Sequence, residues 1–446
     1  MICFDMIRLL PKGPYRRIWT LSWPTILSNL TVPMLGLVDT AVMGHLPDTA
    51  YIAGVAVGAM IFSFVYWGFG FLRMGTVGFA AQAKGSNNKD EIRAVLARAI
   101  IVGIIISILV MIIQTPIRAS ALALVNGEVY LELLAGDYFD CRIWGAPATL
   151  VNYGILGWLL GMQYVRTALV VQVLINALNA ILDLWFVLEL GWDVKGVALA
   201  TVISQYVGVF VGLILAIFHL KKIGGKWERS RILDTAALGK TFRVNRDIFL
   251  RTLSMILAWS LLTWSGAALG TTVLAANAIL MNFQSFLAHG LDGFAHATSA
   301  LVGEAIGARN QKALRSYVKT GTIMAVIVAA IYAIIYACIG PSIIRLLTNI
   351  TELRTYTYSY MSWVIILPLF SVWAYQLDGI FIGATRSAEM RNAMIISVAL
   401  YIVALFTLPK LYGNHGLWLS VIIFMVVRAL TLAFYYPRIE MSVNKT

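Results

Sequence analysis

"GTVGFAAQAKGSNNKDEIR" (75–93) and "ATSALVGEAIGARNQKALR" (297–315) are two runs of one chain that align without a gap. In each, an apolar segment rich in small residues gives way to a glycine, a polar turn and a charged stretch that opens the next helix. The offset, from 75 to 297, is 222 residues. It holds far beyond the loop: Ala53/Ala275, Ala56/Ala278, Phe64/Phe286, Gly68/Gly290, Asn88/Asn310, Arg93/Arg315 and Tyr138/Tyr360 coincide, as does "GWLLG" (157–161) with "GIFIG" (379–383). A chance match over apolar sequence does not keep one register across several segments and a polar loop. The two halves read as a duplication.

The chain has 446 residues, 60% hydrophobic and 12% charged, which excludes the soluble classes and points to an integral membrane protein. Cys3, Cys141 and Cys338 are too few and too scattered for a disulfide framework or a metal site. A net charge of +13 could signal nucleic acid, but the basic residues sit in short loops between apolar spans, where membrane topology places them. No nucleic-acid partner is expected. The first 17 residues lead into a full span without a small-residue cleavage site, so they are expected to be retained.

A crossing of a ~30 Å hydrocarbon core takes about 20 residues. Cutting the chain at its charges, glycines and prolines predicts twelve spans. The uncharged stretch from Thr252 to Leu291 is too long for one, and "SGAALGTT" (265–272) predicts a tight turn inside it. With both termini on one side, the loops of that side hold most of the Lys and Arg, so both termini are expected in the cytoplasm. The polar segment 221–246 separates six spans from six. The expected organisation is an N-terminal lobe 1–220, a cytoplasmic linker 221–246 and a C-terminal lobe 247–446. An even number of spans per half gives the copies one orientation, an all-α architecture of two six-helix bundles around a central cavity, suited to alternating access.

A repeat makes asymmetry informative. Asp39 falls opposite Leu261 and Asp183 opposite Leu405, so both of these carboxylates are confined to the first half. Each lies about five residues before the outer end of its span, roughly 7 to 8 Å deep at the helical rise. Tyr138 and Thr201 come to comparable depth. Asn179 is one turn before Asp183 on the same face, and Asn176 adjoins it. No Lys or Arg lies at this depth in either helix, so desolvation and mutual repulsion favour the protonated form of at least one acid. Three readings stay open: a proton-coupling site, a Na⁺ site of oxygen ligands at Asp39, Asn179, Asp183 and Thr201, and a structural network that does not titrate.

Pro24, fifteen residues before Asp39, removes a hydrogen bond from span 1. The result is either a hinge that answers to Asp39 or a static kink. The small-xxx-small pairs Gly157/Gly161 and Gly379/Gly383 predict close helix packing. In the second half, His289, Asp292 and His296 share one face of span 8, with Asp378 in span 10. Two His residues two turns apart are too far for one metal, which leaves a proton or ion relay or a hydrogen-bonded core. The cavity is expected to be lined by Met34, Phe62, Tyr66, Tyr153 and Asn176, among other aromatic and methionine residues. Such a lining with acids nearby favours amphiphilic cations.

These features resemble a known family. The "P…VDTAVMGHL" run of span 1, "INALNAILD" in span 5 and the "GARNQ"-type loop present in both halves are similar to the multidrug and toxic compound extrusion (MATE) family. "LDGIFIGATRSAEMRN" (377–392) is similar to its DNA-damage-inducible F branch. The resemblance implies a secondary multidrug efflux antiporter of the bacterial inner membrane, a monomer without cofactor, that exchanges drugs and other organic cations for H⁺ or Na⁺. It also implies that Asp39 is the coupling aspartate, Pro24 the bending proline, and Tyr138, Asn179, Asp183 and Thr201 the network around them. The family's other major branch couples through a glutamate in span 7; the 252–268 span has no carboxylate. The alternative is a lipid-linked oligosaccharide flippase of the wider superfamily, which needs basic cavity residues. Arg142 and Arg251 are the mid-span candidates. No hydrolase, metalloprotease or ATP-binding motif occurs, so an enzyme is not expected and transport must draw on a gradient.

Overall fold

The computed structural model describes residues 13–43, 49–125 and 128–444, without the side chains of 32–41, 49 and 444. The described chain is almost wholly helical. Ten of its helices are long and apolar enough to cross a membrane. The last of these, Ser387–Val443, is two crossings joined where Gly413 turns to a φ of 54°. Together with α1 (Pro14–Met43, 30 residues), the spans number twelve, as the sequence predicts.

The first half contributes α2 (Thr49–Gly68), α3 (Phe71–Gly85), α4 (Lys89–Ile112), α5 (Gln114–Val125), α6 (Val129–Arg142), α7 (Ala146–Gly161), α8 (Val165–Asp183) and α9 (Asp193–Ile223). The predicted linker is largely helical: after the short α10 (Arg229–Ile232), α11 (Thr235–Ala268) starts inside it and runs on as span 7. The turn read from "SGAALGTT" forms at Gly270, φ 120°, before α12 (Thr271–Gly307). Then follow α13 (Gln311–Leu347), α14 (Thr351–Tyr358), α15 (Met361–Gly383), α16 (Ser387–Tyr435) and α17 (Pro437–Asn444).

Two compact units result: Leu27–Phe242, and Arg243 onward together with the residues up to Ile26. Helix α1 is thus shared. Its first turns belong to the second-half unit because Arg17 pairs with Glu304 and Tyr317, Trp19 packs on Phe294, and Ile26 fills the space a side chain at Gly293 would need.

The duplication is visible in detail. Asn88 caps α4 by accepting from the Glu91 N–H at 3.1 Å, and Asn310 caps α13 by accepting from Ala313 at 2.9 Å. The residue before each cap, Asn87 and Arg309, has φ 53°. In the first-half unit α7 lies so close to α3 that a Cβ on Gly157 or Gly161 would strike the carbonyls of Arg73 and Val77. In the other unit Gly379 and Gly383 meet the carbonyls of Ala295 and Ser299. All four contacts keep the 222-residue offset, so the small residues set the same helix separation twice.

Candidate functional site

In the first-half unit, α8 turns Val165, Ala168, Val171, Ile175, Asn179 and Asp183 inward at three- and four-residue spacing, while Val170, Val173 and Ile181 face out. The polar pair ends this apolar face, and both side chains are fully buried. Asn179 Nδ2 donates to Thr201 Oγ1 on α9 at 3.2 Å, and that hydroxyl donates to the Val197 carbonyl at 2.9 Å. Asn179 Oδ1 is buried without a partner. A π-helical segment, Leu184–Glu189, begins directly after Asp183 and changes the register of the helix there. One turn earlier, Asn176 accepts from Gln172 at 3.0 Å and donates to Thr31 on α1 at 2.8 Å. A bond from span 5 to span 1 is not a contact that spacing can reveal.

Tyr138 is buried on α6. Gly54 and Gly58 on α2 leave room for Leu134 and the Tyr138 ring, a close approach that the "AGVAVG" spacing permits. Phe62 packs on Tyr138 with ring centroids 6.3 Å apart. Asn179, Asp183 and Thr201 are therefore assembled on adjoining helices of one unit, with Tyr138 on a third helix of it. The side chains of Asp39 and Met34 lie outside the described residues; the backbone of both belongs to α1, which continues as a helix through the buried Pro24.

The expected cavity residues Phe62, Tyr66 and Tyr153 gather around a base. The Arg142 guanidinium lies over the rings of Phe62 and Tyr66, 5.5 and 5.4 Å from their centroids. Arg142 and Arg73 are both within electrostatic reach of Tyr153. In the second-half unit, Asp378 accepts from both Arg251 and Arg428, all three buried. Asp292 acts electrostatically on Arg251, His289 Nδ1 meets the Ser285 carbonyl at 2.7 Å, and His296 is buried. Asp378 is thus the counter-ion of two arginines, which the sequence separates from it by 127 and 50 residues. Arg251 stood out as a mid-span base; its pairing with Arg428 through one acid did not.

A family model, MatE, matches residues 24–185 and again 248–408, one copy for each half of the duplication. The chain belongs to the MatE family. DNA damage-inducible protein F of Escherichia coli (strain K12) is 42% identical over 428 residues, 95% of this chain and 92% of that protein. A probable multidrug resistance protein NorM of Acinetobacter baylyi is 22% identical over 422 residues, 91% and 92% of the two chains. Among solved structures, a MOP superfamily transporter from Pyrococcus furiosus superposes with a TM-score of 0.86 at 20% identity, covering 99% of each chain. This MatE chain is a multi-pass membrane protein of a family of multidrug and toxic compound efflux transporters, with the twelve-span, two-lobe fold of that family.

Proposed function

We propose that this MatE protein exports amphiphilic organic cations in exchange for H⁺, through a titrating site in the first-half unit composed of Asp39, Asp183, Asn179, Thr201 and Tyr138. The observation that carries the reading is the burial of Asp183 one turn after an asparagine already bonded to Thr201. A carboxylate in that position is costly as an anion inside a membrane, and protonation or a bound cation relieves the cost. Na⁺ is the alternative ion, for which Asn179 Oδ1 is a buried acceptor without a partner. Protonation of Asp39 reshapes span 1 at Pro24, where the ring leaves a helix carbonyl without its donor. The protein acts as a monomer in the bacterial inner membrane with both termini in the cytoplasm and needs no cofactor. The 42% identity to DNA damage-inducible protein F and the family's NorM members support the efflux reading. Arg251, paired with Asp378, does not serve the flippase alternative, which is left with Arg142.

The test is dye efflux from proteoliposomes under an imposed pH gradient, for the parent and Asp39→Asn. The parent should export with the gradient and the variant should not; equal gradient-dependent efflux by both removes the coupling role. Repeating the assay with a Na⁺ gradient at fixed pH assigns the ion.

A further inference from the structure

Arg142 ends α6 at the 3₁₀ turn Ile143–Gly145 and is 6% exposed. Gly145 leaves the space its guanidinium fills: a Cβ there would stand 2.5 Å from Nη1. The rings of Phe62 and Tyr66 compensate the charge through the guanidinium face, but the in-plane N–H donors need acceptors. Nη1 is buried and has none. Tyr66 Oη and Thr149 Oγ1 are buried within reach of each other, and among the described residues neither has a partner besides the other. Among the described residues no carboxylate pairs with Arg142 or with Arg73, the second base near Tyr153. Among the described residues the other buried arginines have acceptors: Arg98 has Glu91, Arg251 and Arg428 have Asp378, and Arg93 has the Gly224 and Leu220 carbonyls. A buried guanidinium N–H without an acceptor, beside a hydroxyl pair that can still donate one proton, makes a site suited to an anion.

We propose that Arg142, with the hydroxyls of Tyr66 and Thr149, binds the carboxylate of a zwitterionic amphiphilic cargo. The guanidinium fork matches a carboxylate in two hydrogen bonds, and the hydroxyl pair can donate its one proton to a remaining lone pair. The cationic end of such a cargo has its own complement nearby. Tyr138 and Arg142 are one turn apart on one face of α6 and both pack on Phe62, so the polar set of Asp183, Asn179 and Tyr138 and the arginine belong to neighbouring levels of the same unit. Trp144 and Tyr206, joined by a 3.0 Å bond from the Tyr206 hydroxyl to the Trp144 carbonyl, are about half exposed, and Tyr206 is within electrostatic reach of Tyr66.

The inference rests on the efflux reading for its ligand, and its test is independent of transport. A rhodamine ethyl ester and the corresponding free acid differ by a single carboxylate. Their affinities for the detergent-purified protein, read by fluorescence polarisation, give an acid-to-ester ratio. That ratio should fall about ten-fold or more in Arg142→Gln and recover in part in Arg142→Lys. Tyr66→Phe, a single-atom change that keeps the packing, should lower it about three-fold and serves if Arg142→Gln does not fold. An unchanged ratio in the variants, or a parent that binds ester and not acid, overturns the proposal. Intact acid recognition without gradient-driven efflux overturns the transport reading alone.

Discussion

Around one repeat-related tyrosine, Tyr153 in one unit and Tyr375 in the other, the two units bury their arginines differently. In the second-half unit Arg251 and Arg428 converge on Asp378, and Tyr375 lies under Arg428 at 5.8 Å. In the first-half unit Tyr153, the repeat counterpart of Tyr375, has Arg142 and Arg73 near it and no acid among the described residues. At the offset of 222, Asp378 falls opposite Leu156 and Arg428 opposite Tyr206, so neither the acid nor one of its arginines has an equivalent in the first half. Duplication therefore preserved the aromatic position and let the charges diverge. One unit gathers its two buried arginines on a single buried acid. The other holds Arg142 with no carboxylate partner among the described residues.

The largest expected effect tests that difference directly. Asp378→Ala leaves two buried guanidiniums without a counter-ion and should cost about 3–5 kcal/mol, seen as a clear drop in the thermal unfolding midpoint in detergent. Arg142→Gln removes a base that has no acid and should hold the midpoint within about 2 °C or raise it. Equal losses in the two variants would erase the contrast between the units.

The shared scaffold should respond alike. Gly157→Ala and Gly379→Ala each drive a Cβ into a carbonyl of the neighbouring helix, Arg73 in one unit and Ala295 in the other. Each should cost about 1–3 kcal/mol; a loss in only one would mean that the repeats no longer share their helix separation.

A smaller effect, confined to the first-half unit, is expected of Thr201→Val. It removes the acceptor of Asn179 Nδ2 and should cost about 1 kcal/mol or somewhat more. Slower gradient-driven efflux at unchanged expression is the accompanying readout, and normal efflux would separate Asn179 from the coupling site.

The smallest effect again divides a repeat pair. Arg93 donates to the Gly224 and Leu220 carbonyls at 2.9 and 2.8 Å, whereas its counterpart Arg315 donates to Glu440 on α17 at 3.0 and 2.7 Å. Those bonds hold the Glu440 carboxyl below the usual carboxylate range. A lowered folded value means that the pair contributes fully above about pH 4.3, the ordinary glutamate value, and fades as the pH falls through the lowered one. Amide exchange in α17 should therefore accelerate below about pH 4, while the Arg93 contacts at the end of α9 should not respond.

The twelve spans, the turn at 265–272 and the register of the duplication were legible because each depends on local composition or on a constant offset. Caps at Asn88 and Asn310 and the glycine contacts at 157, 161, 379 and 383 follow from that same register. The α8 face carrying Asn179 and Asp183 was legible from helical spacing. Less was legible wherever a partner comes from a distant helix: Thr31 for Asn176, Asp378 for Arg251 and Arg428, and Phe62 with Tyr66 under Arg142. Spacing places a residue on a face of its own helix and says nothing about which helix that face meets.

By itself the sequence determined that this is a duplicated membrane protein of the MatE family in which Asp39 and Asp183 have no acidic counterpart in the other half, because hydropathy, offset and motif are properties of the chain read in order. Tertiary structure alone decided which buried charges are matched. Inside a membrane a charge must find its partner across helices, and packing rather than sequence distance brought Asp378 to two arginines and left Arg142 with aromatic rings and no carboxylate among the described residues.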